Sequence, residues 1–262
     1  MRKTPALSIC ALAPLFALFA YFIRSREVVA IFDPTTGLAL LWEGVSIILM
    51  LFSILVVALF FILSRCVPKE ISPSFEKAFG TPSLFTGILS LLGLAITFLA
   101  AFALLRHVGV GDEANLFFVW AIGAFFSGIC LSIFPILGAR GKNVFLLAAM
   151  PVFWVCMWLV FSHIYYAADP VLIRYVYHLF AIAFLLLSLY YIASAAFGKG
   201  QGKRQIFSTA LAVYFTGVSL ADSRNFYQQV TMFLLAFFVL LYAILLLRHI
   251  GQNKEKNQNP PA

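Results

Sequence analysis

The feature that most constrains this chain is a series of eight long apolar stretches separated by short connections. A helix needs about 20 mostly apolar residues to cross roughly 30 Å of hydrocarbon, and lipid offers no partner to a free backbone N–H or C=O group. We therefore predict an all-α polytopic membrane protein, a bundle of eight transmembrane helices. The predicted spans are residues 5–23, 38–63, 82–105, 114–138, 143–162, 171–197, 205–221 and 226–247.

The composition excludes a water-soluble globular protein. Apolar residues make up 63% of the chain and charged residues 11%, whereas soluble domains contain about 45–50% and about 25% of these classes. The longest connection between predicted spans, residues 64–81, is too short to hold a soluble catalytic domain. We therefore expect one transmembrane domain over residues 1–247, with its function among the helices or at their ends.

The segments outside the spans are assigned from their residue patterns. Residues 71–79 have apolar side chains at helical spacing with charges opposite, which predicts a short interfacial helix on the membrane surface. Residues 248–262 are rich in Asn, Gln and Lys, which predicts a disordered cytoplasmic tail. Arg24 and Arg26 follow the first span where a signal peptide would have its cleavage site, so we predict that this helix is retained.

The distribution of Lys and Arg predicts the orientation. With eight spans, both termini lie on one side, and most of the 18 basic residues fall on that side. By the positive-inside rule, both termini are then cytoplasmic and the protein lies in the cell membrane. The net charge of +8 is explained by this topology and by contact with anionic lipid, so we predict no nucleic-acid partner. The basic residues predicted outside are Arg24, Arg26, Arg106, Arg174 and Arg224.

Matching residues in the two halves of the chain are compatible with an internal repeat. Asp33-Pro34 follows the first predicted span and Asp169-Pro170 follows the fifth, while Asp112 and Asp222 precede the fourth and eighth. The preserved order predicts a parallel 4+4 repeat about an axis normal to the membrane. The alternative is coincidence, because aspartate and proline are common at helix starts.

Ionisable residues inside the spans are the first candidates for a functional site. A charge at the membrane centre costs at least about 2.5 kcal/mol and therefore normally faces a cavity or a partner. Glu43 lies near the outer end of the second predicted span, and a short carboxylate at that depth should be paired. We predict Arg174 as its partner. Arg174 and His178 are one turn apart on the sixth span and share a face.

Other polar side chains are predicted at a similar depth. His163 closes the fifth span and His107 closes the third. One interpretation is an outward-facing polar pocket that binds a small ligand, formed by Glu43, Arg174, His178, His163, His107 and Ser219. The alternative is an interfacial collar, in which these side chains reach the headgroups beside an aromatic belt. The belt would contain Trp154, Trp158, Tyr165, Tyr166, Tyr175 and Tyr177.

The seventh span is the shortest and the most polar, which predicts that it is buried within the bundle. Its small and hydroxylated residues favour close helix approach and interhelical hydrogen bonds, worth about 0.6 kcal/mol each. The alternative is that it lines a substrate path. Its sequence Gly217-Val218-Ser219 resembles the G-x-S motif of rhomboid-type intramembrane proteases, whose serine needs a histidine from a later helix. The later histidine, His249, is predicted on the cytoplasmic side, about a membrane thickness away, which argues against that activity.

Binding or transport of a small solute is the function that these features favour. A non-catalytic subunit or scaffold that packs against a membrane protein partner is the first alternative. A membrane-embedded metal-dependent hydrolase is the second, because a catalytic zinc needs several such ligands with one open position. Since no His-x-x-x-His pair occurs, we predict no cofactor. The ligands of this alternative metal site would be His107, His163, His178 and Asp169.

Overall fold

The described part of the chain is helical, with short turns between helices. The computed structural model describes residues 4–31, 44–67, 84–106, 112–166, 171, 175–222 and 224–258, and the side chains of these residues except 4–5, 31, 112–115 and 248–258. Eight helices lie in these ranges. They are α1 (Thr4–Ile31), α2 (Gly44–Cys66), α3 (Leu84–Arg106), α4 (Asp112–Ala139), α5 (Phe145–Tyr166), α6 (Val176–Ala196), α7 (Gly202–Ser219) and α8 (Phe226–Gln258).

Seven of these helices are long and apolar enough to cross a membrane, and α7 is the exception among the described helices. The all-helical, multi-pass membrane architecture is therefore confirmed. α7 has 18 residues, which gives a length of about 27 Å at 1.5 Å per residue, but its polar side chains lower its hydropathy. That α7 is an eighth span, and that the halves form a 4+4 repeat, stay predictions.

Helix α1 is longer than the sequence predicts. The predicted span ends at residue 23, whereas the helix continues through Arg24 and Glu27 to Ile31. The prediction took the charges as the end of the membrane segment. The helix continues because both side chains are buried and paired inside the bundle, so they do not have to reach water.

The predicted starts at residues 38 and 82 lie outside the described residues. The other predicted boundaries lie within five residues of the helix ends, except at the last helix. α8 continues to Gln258, so the structure differs from the predicted disordered tail over residues 248–258. This segment contains Gln, Lys and Glu, which have good helix propensity. The interfacial helix predicted at 71–79 lies outside the described residues.

Helix α7 lies inside the bundle, as its polar sequence predicts. It packs against α1, α2, α6 and α8, and most of its side chains are buried. Two side-chain contacts tie it to its neighbours: Ser53 and Tyr214 are 2.9 Å apart between the hydroxyl oxygens, and Ser188 donates to Ser208 at 3.2 Å. A helix with this many hydroxyls is stable in a membrane because other helices cover it.

Helices α3 and α4 make a very close contact through small residues. Ser90 Oγ donates to the Ser132 carbonyl at 2.7 Å. A Cβ on Gly93 would lie 2.3 Å from the Ser132 backbone nitrogen, and a Cβ on Gly128 would lie 2.5 Å from Thr97 Oγ1. Glycine is required at both positions because the backbones approach too closely for any side chain.

We predict that Gly93→Ala destabilises the bundle, because the new methyl group meets backbone atoms that cannot turn away. Overpacking of this kind costs about 1–3 kcal/mol. Gly87 on the same helix is the matched control, since a Cβ there meets no atom within 4 Å. Gly87→Ala should increase the free energy of unfolding by about 0.5–1 kcal/mol. Unfolding of both variants by SDS titration in micelles measures the difference, and equal stabilities would contradict the close contact.

Candidate functional site

The structure brings two of the predicted site residues together. His178 on α6 and Ser219 at the end of α7 are both buried, and His178 Nδ1 is 3.2 Å from Ser219 Oγ. His163 is exposed at the end of α5 and is not part of this contact. Predicted residues that lie outside the described residues are Glu43, His107, Asp169 and Arg174.

A buried set of charged side chains lies beside this pair. We call Arg24, Glu27, Asp222 and Arg224 the polar cluster. Arg24 is its centre: its Nε donates to Asp222 Oδ1 at 2.8 Å, and its Nη1 donates to Glu27 Oε2 at 2.8 Å. The exposed fractions of Arg24, Glu27 and Asp222 are 0%, 1% and 6%, so these charges are almost fully removed from solvent.

Helix ends place these side chains at one end of the bundle, here called the distal end. Arg24 and Glu27 are three residues apart on α1, a spacing at which side chains on a helix meet. Asp222 lies in the turn after α7, where its backbone N–H donates to the Ser219 carbonyl at 3.1 Å. Ser46 in the first turn of α2 donates to Glu27. The cluster therefore joins α1, α2 and the turn between α7 and α8.

Arg224 extends the cluster towards α5. Its Nε is 3.7 Å from Asp222 Oδ2, its Nη1 donates to the Tyr166 hydroxyl, and its guanidinium lies 4.5 Å from the centroid of the Tyr166 ring. The same ring contacts His178 edge-on, at 6.0 Å between centroids. Tyr166 thus links the charged residues to the His178–Ser219 pair.

Burial and charge act in opposite directions on Asp222. Burial raises the pKa of the Asp222 carboxyl above its usual value, while the positive charges of Arg24 and Arg224 oppose that rise. The two arginines therefore favour the ionised carboxylate, against the effect of burial. A substitution that removes either arginine would favour the neutral form of Asp222.

The His178–Ser219 pair has the contact that a base and a nucleophile require. His178 Nε2 has no hydrogen-bond partner among the described residues, so none of them orients the ring through that atom. The ring lies against Trp158, at 6.2 Å between centroids. Rhomboid-type proteases take the histidine from a later helix, whereas the histidine in contact with Ser219 is on the preceding helix, α6.

Some of the aromatic residues predicted to form an interfacial belt are buried, and others are exposed. Trp154, Trp158 and Tyr177 are buried, and the two tryptophan rings stack at 5.5 Å between centroids. Tyr165, in contrast, is 50% exposed. For the three buried residues the collar interpretation is wrong: they are packed inside the bundle, and Tyr177 lies 5.1 Å from the Arg24 guanidinium carbon.

The described residues contain no group of three or more His, Cys, Asp or Glu side chains placed to hold a metal ion. Of the predicted ligands, His178 is buried and His163 is exposed. His107 and Asp169 lie outside the described residues, so the complete metal site stays a prediction.

Arg24 and Glu27 are the site residues that sequence reasoning missed, because it placed them in a connection outside the membrane. A usable signal exists in α1. The small residues Ala13, Ala17 and Ala20 are buried, and their spacing continues through Arg24 and Glu27 at alternating steps of three and four residues. The buried face of the helix therefore leads directly into the charged pair.

No family model, no curated protein and no solved structure matches this chain in comparisons with known proteins.

We predict that Arg24→Leu lowers the free energy of unfolding by about 3–5 kcal/mol, because it leaves two buried carboxylates without their shared cation. Arg26 is the matched control, since it lies on the same turn and is exposed. Arg26→Leu should change stability by no more than about 0.5 kcal/mol. SDS titration of the two variants in micelles measures both values, and equal losses would contradict a central role for Arg24.

Proposed function

We propose that this protein binds a small charged solute at the distal end of an eight-span bundle in the cytoplasmic membrane. In this proposal both termini are cytoplasmic, α7 is a span, and the distal end faces outward, as the charge distribution favours. Binding at such a site is the first step of transport. The charged side chains at one end of the bundle support the proposal.

The observation that carries it is the buried polar cluster. Charged residues within membrane segments are costly and are usually functional, and here two cations and two carboxylates lie together at helix ends. Their charges balance, so a zwitterionic solute matches them best. Its carboxylate or phosphate can bind the arginines while its ammonium group binds Glu27 or Asp222.

The remaining predicted residues are assigned to the same site by their place in the chain. Glu43 directly precedes Gly44, the start of α2, and Arg174 shortly precedes Val176, the start of α6. Both helices begin at the distal end, because Ser46 and His178 contact residues there. We therefore keep Glu43 and Arg174 as candidate ligand contacts. His107, which follows the last residue of α3, and His163, near the end of α5, are kept as candidates from the sequence alone.

A scaffold is the main alternative, and the same ion pairs favour it. Arg24 and Asp222 are 198 positions apart in the sequence, so their contact ties the first helix to the last pair of helices. If the cluster serves only packing, substitutions should change stability alone. If it binds a solute, they should also remove the effect of that solute.

We expect a free amino acid to raise the melting temperature of the purified protein in lipid-free detergent, whereas inorganic phosphate should not. A ligand at one hundred times its Kd stabilises the folded state by about 2.7 kcal/mol. Glu27→Gln keeps the hydrogen-bonding shape of the cluster but removes one charge, and it should abolish the shift.

The matched control is Arg26→Gln on the exposed side of α1, which should retain the shift. A wild-type protein that no amino acid stabilises would contradict solute binding. Lower stability of Glu27→Gln in that case would favour the scaffold.

The His178–Ser219 contact supports a second candidate, a membrane-embedded hydrolase. In such an enzyme Ser219 Oγ attacks the substrate and His178 takes its proton. This candidate predicts that a fluorophosphonate esterifies Ser219 with loss of fluoride in the wild type, and that Ser219→Ala is not labelled. Mass spectrometry of the labelled peptide measures the reaction, and an unlabelled folded wild type would exclude it.

A further inference from the structure

A lateral groove lies between α1, α7 and α8. Its volume is about 470 Å³, within the range of small-molecule sites. It runs along the middle of α1 and along the parts of α7 and α8 nearer the distal end, and its walls are almost entirely apolar. Residues that represent the three helices are Pro14 and Tyr21, Thr216 and Leu220, and Ala236 and Phe237.

The groove approaches the polar cluster, although none of the four cluster residues lines it. Arg24 follows Tyr21 by three residues on α1, a rise of about 4.5 Å, and Asp222 follows Leu220 by two residues. Tyr21 and Leu220 both line the groove. The apolar groove therefore comes within about one helical turn of a site that holds both signs of charge.

Two lining residues, Tyr21 and Thr216, carry a hydroxyl. Thr216 lines the groove and is 2% exposed, and its Oγ1 has no hydrogen-bond partner among the described residues. A buried hydroxyl without a partner costs about 1–3 kcal/mol. An occupant with an acceptor oxygen partway along an apolar chain would satisfy this hydroxyl.

We propose that the groove binds one acyl chain of a zwitterionic phospholipid whose headgroup reaches the polar cluster. The inference rests on the proposed function and names its ligand: the charged solute is the head of an amphiphile. The ester oxygen of the lipid accepts from Thr216, the phosphate binds the arginines, and the ammonium binds Glu27 or Asp222. The chain enters sideways from the bilayer, between α1 and α8.

Two features favour lipid over a second copy of the chain. Along the groove, the Thr216 hydroxyl comes first and the charges of the cluster follow. In a phospholipid the ester oxygen likewise comes first and the charged groups of the head follow, so the two sequences of groups match. Phe237 is 41% exposed and Leu18 is 57% exposed at the rim of the groove, so the groove opens towards the region that bilayer lipid occupies.

Site-directed photocrosslinking tests the proposal in the full-length protein. Benzoylphenylalanine replaces Phe237 at the groove, and in a matched protein it replaces Phe98, which is 73% exposed on α3. Both proteins are reconstituted in vesicles of phosphatidylglycerol with a minor fraction of phosphatidylethanolamine and are then irradiated. The mass of each adduct identifies the lipid class bound at that position.

At position 98 the adducts should reproduce the composition of the bilayer. At position 237 phosphatidylethanolamine should be enriched about tenfold, a preference of 1.4 kcal/mol. Thr216→Val, which removes only the hydroxyl, and Glu27→Gln should each return the adducts towards the composition of the bilayer. Ala236→Phe, which fills the groove, should reduce lipid adducts at position 237 without changing those at position 98.

Three outcomes would overturn the proposal. Adducts of bilayer composition at position 237 would show bulk lipid only, and a crosslinked protein dimer would show a second copy in the groove. Enrichment that Glu27→Gln leaves unchanged would show that the headgroup does not reach the cluster. Failure of the proposed function is separate, because it appears as a lack of stabilisation by amino acids in lipid-free detergent.

Discussion

The ion pair between Arg24 and Asp222 is the interaction on which the rest of the distal end depends. Removing a charged side chain from water costs several kcal/mol, and that cost is offset only by good geometry with additional hydrogen bonds. Both conditions are met at the Arg24 guanidinium, which donates to two carboxylates at 2.8 Å. The pair fixes the end of α1 against the turn after α7. Glu27, Ser46 and Arg224 are then held close to it.

The polar character of α7 is the second constraint. With its hydroxyls and amide group, α7 would be unstable if lipid surrounded it, and four other helices cover it. Gly217 allows a close approach to α1: a Cβ there would lie 2.6 Å from the Ala17 Cβ. This contact brings the ends of α1 and α7 together, which places Arg24 beside Asp222. The least apolar of the described helices therefore organises four more apolar helices around it.

The sequence was sufficient to predict the helices, the membrane and the burial of α7, because each depends on composition over a long segment. It also placed His178 and Ser219 near one end of the bundle, although not in contact with each other. It did not reveal that Arg24 and Glu27 are buried. In a bilayer the lipid-facing side of a helix is as apolar as its packed side, so hydropathy alone does not distinguish them. The same ambiguity led Trp154 and Trp158 to be assigned to an interfacial belt.

The long separation between Arg24 and Asp222 has a consequence for biogenesis. During synthesis α1 enters the membrane long before residue 222 is made, so Arg24 must first reside there without its distant partner. Glu27, three residues away on the same helix, accompanies it and neutralises its charge throughout that interval. The local pair allows α1 to be inserted early. The late arrival of Asp222 then fixes the first helix to the last two, so the bundle closes only when the chain is nearly complete.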